Sequence, residues 1–449
     1  MQRCIIKFFL FCLLVSCGKE TTKLNVYTIL DEKDRAKLRD DIISDRFNNL
    51  LPGLMDDTGI DMWIVISREY NEDPVIKTML PSVWLNARRR TILVFYRNKQ
   101  KNTIEKLAVA RYDVGKNIKS AWNKEKEPNQ WSALSRIIEK RNPEKIGINI
   151  SKHVALADGL VKTDHDEFLA SLSSSNRKKI VSAEKLAIRW IETRTAKEMK
   201  LYKRLVRITH AIIDEAFSNK VITPGVTTTE DIVWWMRQKV TKLGLQTWFH
   251  PTIDVQRSKE PLKSHIYSFT KTGNDKVILP GDLLHCDFGI SYVGLHTDCQ
   301  QHAYVLRKKE TEVPEFLAKA FKKGNRLQDI LTTTMKTGKT GNEILLTSLE
   351  QAKKEGLKPA IYSHPLGNFG HSAGTTIGMW DSQKGVPVRG DYSLHNNTVY
   401  AIELNVTVAV KEWKKDIRIM LEEAGFFGDG RHEYVNERQK EIKPIKMIY

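Results

Sequence analysis

Five residues of the C-terminal half have side chains and surroundings suited to divalent metal ions: Asp287, Asp298, His364, Glu403 and Glu422. The two aspartates lie in apolar-flanked runs on either side of a glycine-bounded stretch, residues 289–294, and that pattern predicts a β-hairpin. Where they share a rung, both carboxylates enter one site. Burying them on one face is unfavourable, because each is desolvated and the two repel. Cations remove that cost, and hard oxygen donors select manganese, magnesium, calcium or zinc over soft metals. His364 and His371 bracket the stretch His-Pro-Leu-Gly-Asn-Phe-Gly-His, Glu403 interrupts the apolar run 399–404, and the strand-like run 417–421 leads straight into Glu422. Taken singly, each has a plainer account: a strand-end carboxylate that meets water, or a histidine satisfied in a core.

Strands and helices must bring these residues together. Thr195 with Glu198 forms a capping box ahead of Leu201, Leu205, Ile208 and Ile212, which predicts a long amphipathic helix. A second helix is expected to open at Thr227 with Glu230 and to end near Gly244, and a third to open at Thr340 with Glu343. The last two starts share the pattern G-x-T-x-x-E, from Gly225 and from Gly338. Two similar αβ units facing each other across a cleft would produce that echo; so would chance, since glycine ahead of a capping box is a common helix start. Upstream, residues 62–66, 91–96, 107–112 and 146–150 read as strands and 132–140 as a helix stopped by Asn142-Pro143. The expected organisation is an α/β domain over residues 31–185, with its boundary near the polar stretch 171–179, and a catalytic domain over 190–449.

The order Asp, Asp, His, Glu, Glu in these local contexts resembles the family that includes methionine aminopeptidase, prolidase, aminopeptidase P and creatinase. The resemblance covers the chain from about Thr193 onward, and the region before it looks like the N-terminal domain of the longer members. It implies an α/β (α+β) chain: a creatinase-like α/β domain, then a pita-bread domain whose pseudo-twofold αβ halves enclose a dinuclear metal site. In that scheme Asp287 chelates one ion, Asp298 and Glu422 bridge both, and His364 and Glu403 complete the second. Two divalent ions are implied, manganese first, with zinc or cobalt as alternatives; they polarise the scissile carbonyl and activate water. His371 would line the substrate carbonyl, with His265 as its upstream counterpart.

Several positions depart from the family pattern. Met420 stands where the family often has arginine, Leu404-Asn405 follow Glu403 in place of Pro-Gly, and Glu423 competes with Glu422 as the ligand. A second register, starting at His371-Ser-Ala-Gly374, would make His371 the ligand and leave Gly378 where a histidine is expected. The register starting at His364 fills both histidine places. The implied activity is removal of one residue from a peptide N-terminus, ahead of proline, or cleavage of an Xaa-Pro dipeptide. Two other classes stay open: a binding protein that kept the fold and lost the chemistry, and a metal-independent amidinohydrolase like creatinase.

Bulk properties set the remaining bounds. A chain of 449 residues with 41% hydrophobic content is too long for one ordinary core. Its net charge of +18 suits an anionic neighbour or a solvated lysine-rich surface. Arg3 and Lys7 precede an apolar run too short to span a bilayer, which ends Leu-Val-Ser-Cys17. This resembles the lipobox of bacterial lipoproteins. It implies a signal peptide over 1–16, lipidation of Cys17, a tether over 17–30, and a place in a bacterial cell envelope facing the periplasm or exterior. The expected partners are a peptide substrate, the membrane through the lipid anchor and a second copy in a homodimer, with no nucleic acid. Cys286 and Cys299 flank the aspartates symmetrically, so a cross-strand bridge is conceivable; buried free thiols are favoured, since opposed strand positions strain a disulfide.

Overall fold

The computed structural model describes residues 26–262 and 275–447 of the chain. Cys17 and His265 lie outside the described residues. Among the described residues no helix is long and apolar enough to cross a membrane.

The first domain is built on a sheet of order β4-β3-β2-β1-β5-β6, comprising β1 Met62–Arg68, β2 Arg90–Asn98, β3 Thr103–Val109, β4 Lys119–Ser120, β5 Ile146–Ile148 and β6 Ile180–Ser182. β1 is apolar almost throughout because both faces of the sheet are covered. Trp63 and Val65 join a core with the helices Leu51–Thr58 and Glu184–Glu192, while Met62, Ile64 and Ile66 join another with the helix Gln130–Arg141. That last helix starts on Asn129, whose side chain accepts from the Trp131 and Ser132 amides, and stops at Asn142 with φ 42°. β3 ends at Val109, short of the expected residue 112. The polar stretch 171–179 is not a boundary: it precedes β6, which pairs with β5 inside the sheet. The helix Glu184–Glu192 buries Leu186, Trp190 and Ile191 in the same core, so the domain runs to Glu192 and the expected limit at 185 falls in that helix's first turn.

The second domain consists of two helix-backed halves, as the resemblance implies. In one, the helices Ala196–Ala216 and Thr229–Lys242 share a core with the sheet of order β19-β11-β8-β7, formed by β7 Thr252–Gln256, β8 Leu283–Asp287, β11 Gln300–Val305 and β19 Lys443–Ile445. In the other, the helices Glu315–Thr334 and Gly341–Lys354 pack on β12 Lys358–Ile361, β15 Leu404–Val410 and β16 Lys415–Leu421. A third sheet, of order β13-β14-β17-β18, contains β13 His364–Leu366, β14 Thr398–Ala401, β17 Ala424–Gly428 and β18 Arg431–Tyr434. The second helix of each pair opens on a capping box, Thr228 with Asp231 and Thr340 with Glu343. The first box is one residue later than expected, because the Thr227 hydroxyl instead accepts from the Thr223 amide and closes the preceding turn. The echo survives in its glycines: Gly225 and Gly338 both have positive φ, 87° and 82°.

The hairpin register also differs from expectation. Asp287 pairs with Gln300 and Cys286 with Gln301, so neither the aspartates nor the cysteines are directly opposed. The link between the strands holds a small ribbon, β9 Ser291–Tyr292 and β10 Leu295–His296, whose turn at Val293-Gly294 takes positive φ at both residues and consumes the extra length. A two-residue shift keeps side-chain parity, so Asp298 and Gln300 still share Asp287's face. Cys286 and Cys299 are free and buried.

The two domains are joined through a buried charge cluster. Arg46 donates to both Glu198 oxygens at 3.0 and 2.8 Å and to the Thr193 carbonyl at 2.8 Å, and Arg194 donates to Glu198 Oε1 at 2.9 Å. Arg194 also donates to Asn368 Oδ1 at 3.1 Å, which ties the junction to the loop after His364.

Candidate metal centre

Each half contributes its share of the cluster from strand ends. Asp287 closes β8, Asp298 leads into β11, His364 opens β13, Glu403 lies between β14 and β15, and Glu422 lies between β16 and β17. The halves meet at Gln300 and Glu422, which exchange backbone hydrogen bonds of 3.0 and 3.2 Å. Ligand atoms of Asp287, Asp298 and Glu422 all lie within 4.8 Å of one another, as do those of His364, Glu403 and Glu422. Glu422 is common to both triads. His364 Nε2 stands 3.8 Å from Glu403 Oε2 and 3.8 Å from Glu422 Oε1.

The donor set fits a hard divalent cation on its own chemistry. All five residues are buried. Asp287 Oδ1, Asp298 Oδ1, Glu422 Oε1 and His364 Nε2 have no hydrogen-bond partner in the protein. Among the described residues no lysine or arginine forms an ion pair with these carboxylates. Burial, and then the neighbouring acids, pushes Asp298, Glu403 and Glu422 well above the ordinary carboxylate range, and burial pushes Asp287 up to about 6 against the pull of His285. Burial pulls His364 down to about 3, so its imidazole is neutral and able to bind a metal. Such a cluster is unfavourable for the protein alone and suits ions that need anionic oxygens and one imidazole.

Glu422 and Glu423, and His364 and His371, stand in different surroundings. Glu423 faces away from the cluster: it accepts from Gln301 Nε2 at 2.9 Å, pairs with His210 Nε2 at 2.6 Å and takes the Cys299 thiol at 3.3 Å. His364, not His371, reaches the two glutamates. His371 is exposed at the mouth, its ring 4.8 Å from that of His364 and perpendicular to it, within ligand reach of Asp298 and His364.

Four neighbours carried no expectation. Gln300 Nε2 donates to Glu403 Oε1 at 2.7 Å and to Glu422 Oε2 at 2.9 Å, while its Oε1 faces His285 Nε2 at 2.9 Å. The spacing held a signal for it, since Gln300 is two residues past Asp298 in a strand. Trp248 packs edge-on to His371 at 5.1 Å, and its indole donates to the Thr297 carbonyl at 2.8 Å. Tyr362 stands 5.2 Å from His364 and 6.0 Å from His371. Arg389 is close enough for its charge, after burial, to hold His371 below the usual histidine range. Trp248 and Tyr362 come from loops and Arg389 opens the short 3-10 helix Arg389–Asp391, with no periodic pattern to reveal them.

Comparison with known proteins bears on the fold and the family. No curated protein matches the chain by sequence. Solved structures share its fold, three of which follow. An X-Pro aminopeptidase from Thermotoga maritima has 14% identity and a TM-score of 0.61 over 86% of this chain and 98% of that one. An Xaa-Pro dipeptidase from Bacillus anthracis has 15% identity and a TM-score of 0.59 over 92% of this chain and 100% of that one. A prolidase from Pyrococcus horikoshii OT3 has 13% identity and a TM-score of 0.56 over 91% of this chain and 99% of that one. Residues 200–423, which hold all five clustered side chains, match metallopeptidase family M24, and through this domain the chain belongs to that family.

Proposed function

We propose that the chain is a dinuclear-metal hydrolase that removes the N-terminal residue of peptides, with Xaa-Pro bonds as its substrates, in the manner of aminopeptidase P and prolidase. The observation that carries this reading is the convergence of five buried donors whose carboxylates, among the described residues, form no ion pair with a lysine or arginine. Asp287, Asp298, His364, Glu403 and Glu422 would hold two divalent ions, manganese first and zinc or cobalt as alternatives. When bound, such ions polarise a carbonyl and lower the pKa of water.

The chain's own residues account for the rest. His371, neutral and at the mouth, can donate a hydrogen bond to the carbonyl oxygen as negative charge develops there. Trp248 and Tyr362 flank it with ring surface suited to a proline ring. Arg389 supplies a cation beside the acidic cluster, which favours short peptides whose terminal carboxylate lies near the cleft. Proline specificity draws on two of the similar structures, an X-Pro aminopeptidase and an Xaa-Pro dipeptidase. The resemblance of the N-terminal run ending at Cys17 to a lipoprotein signal supports lipidation there and an envelope location, with the basic surface facing anionic headgroups.

Hydrolysis of an Xaa-Pro peptide with manganese added, beside an Asp298→Ala control, tests the proposal. The wild-type chain should cleave and the variant should not. Equal activity in both, or none in either, would end the peptidase reading.

A further inference from the structure

A second cavity lies outside the metal cleft, at the junction of the two domains. A cavity of about 520 Å³ opens between the helix Glu184–Glu192 and two segments of the catalytic domain, around Gly374 and around residues 391–395. Its size is within the range of small-ligand pockets, roughly 300–1,000 Å³. On the helix, Lys185, Ile188, Arg189 and Glu192 line it from one face, as three- and four-residue spacing requires.

Glu192 is the unusual group. It is 1% exposed, and neither carboxylate oxygen has a hydrogen-bond partner in the protein. Its nearest cation, Arg189 Nη1, stands 3.5 Å from Oε1 without a hydrogen bond, and that guanidinium nitrogen is itself buried and unpartnered. An ionised carboxylate offers about four acceptor positions and an arginine five donors, so both groups keep unused capacity beside the same cavity. Gly374 leaves this space open: a Cβ built there would fall 2.3 Å from Glu192 Oε2, and its φ of 136° is strained for any side chain. Burial pushes Glu192 up to about 7 against the pull of Arg189 and Arg194.

We propose that this cavity binds a small zwitterion of the α-amino acid class, its ammonium on Glu192 and its carboxylate on Arg189. An ammonium ion donates three hydrogen bonds and brings the opposite charge to a desolvated carboxylate, and a ligand carboxylate takes the guanidinium's fork. A simple metal ion fits less well, since Glu192 is the only buried acid lining the space. The proposal does not depend on the peptidase reading. The wall segments continue, within three residues, to His371 and Arg389, so an occupant would bear on the parts of the chain that reach the cleft.

Calorimetric titration of the metal-free full chain with L-alanine tests it, with ethylamine and propionate as probes that each lack one charge. L-alanine should bind saturably, and ethylamine and propionate about tenfold or more weaker. Glu192→Gln and Arg189→Met should each weaken L-alanine by about tenfold or more, while Asp298→Ala, in the metal cluster, should leave it unchanged. Thermal unfolding confirms that each variant is folded; Glu192→Gln removes a buried charge and should fold at least as stably as wild type. No saturable binding, binding unaffected by Glu192→Gln and Arg189→Met, or binding abolished by Asp298→Ala would each overturn the site.

Discussion

Gln300 faces Asp287 directly across the antiparallel β8–β11 pair, and its amide nitrogen reaches past that rung to Glu403 at 2.7 Å and Glu422 at 2.9 Å. One neutral side chain therefore fixes the orientation of two acids from the opposite half of the domain. Donors of this kind typically change metal affinity about 10–100-fold when removed. Gln300→Leu should loosen manganese by that amount in a direct titration and leave the fold intact. An unchanged dissociation constant would show that the glutamates are positioned by their strands alone.

Metal uptake should release protons and tighten with rising pH. A carboxyl whose folded pKa is raised contributes stability below its unfolded value, near 4, and loses that contribution as pH climbs through the folded value. For Asp287 the folded value is about 6, and Asp298, Glu403 and Glu422 shift the same way. Acidified, metal-free protein therefore holds protons where the ions would sit. Manganese titrations at about pH 5 and about pH 7 should give the tighter constant at the higher pH, with proton release visible across buffers of different ionisation enthalpy. Equal affinity at both and no proton release would contradict a carboxylate-lined metal site.

The sequence exposed the acids of this site more readily than its walls. Asp287, Glu403 and Glu422 each interrupt or end an apolar run, and a charge placed where a strand should be buried is conspicuous without any structure. Their convergence was legible only through resemblance, because no local pattern tells which strand ends meet. Glu422 and Glu423 are consecutive carboxylates at the same strand junction. Which one faces Asp298 depends on the bridge between Gln300 and Glu422, a contact between residues far apart in sequence. The hairpin register was missed for a related reason: the length between Asp287 and Asp298 admits a plain loop or a ribbon, and the positive φ of Val293, a β-branched residue, is not a conformation its type suggests. A boundary near the stretch 171–179 rests on composition alone, and a polar surface segment inside a domain has the same composition as a linker.

The junction between the domains should depend on Glu198. It shares its one negative charge between Arg46 and Arg194, all three being buried, and burial already pulls Arg46 down to about 10. Removing one partner of a buried cluster leaves uncompensated charge and costs about 3–5 kcal/mol. Glu198→Gln should lower stability in a denaturant titration by that much. A triple change of Glu198, Arg46 and Arg194 to apolar residues should recover part of the loss, since no orphan charge remains. A midpoint within error of wild type for Glu198→Gln would show that the cluster is spectator to stability.

Acid should weaken the fold through histidines that are buried neutral, and His432 gives the cleanest test. Burial, then the charge of Arg438, holds it down to about 4, and its Nε2 has no partner in the protein. Gly425 accommodates the ring, since a Cβ there would lie 2.0 Å from Nε2. A base with a depressed pKa supports the fold above its unfolded value, near 6.5, and that support is lost as pH falls toward the folded value. A depression of this size corresponds to about 3 kcal/mol by linkage. His432→Phe keeps a ring of similar shape and carries no titrating group. Compared with wild type under chelation, it should flatten the decline in stability between about pH 6.5 and about pH 4 and change little above that range. Parallel acid limbs for the two proteins would mean that His432 takes up its proton without a penalty in the folded state, and the acid sensitivity would then have to come from elsewhere.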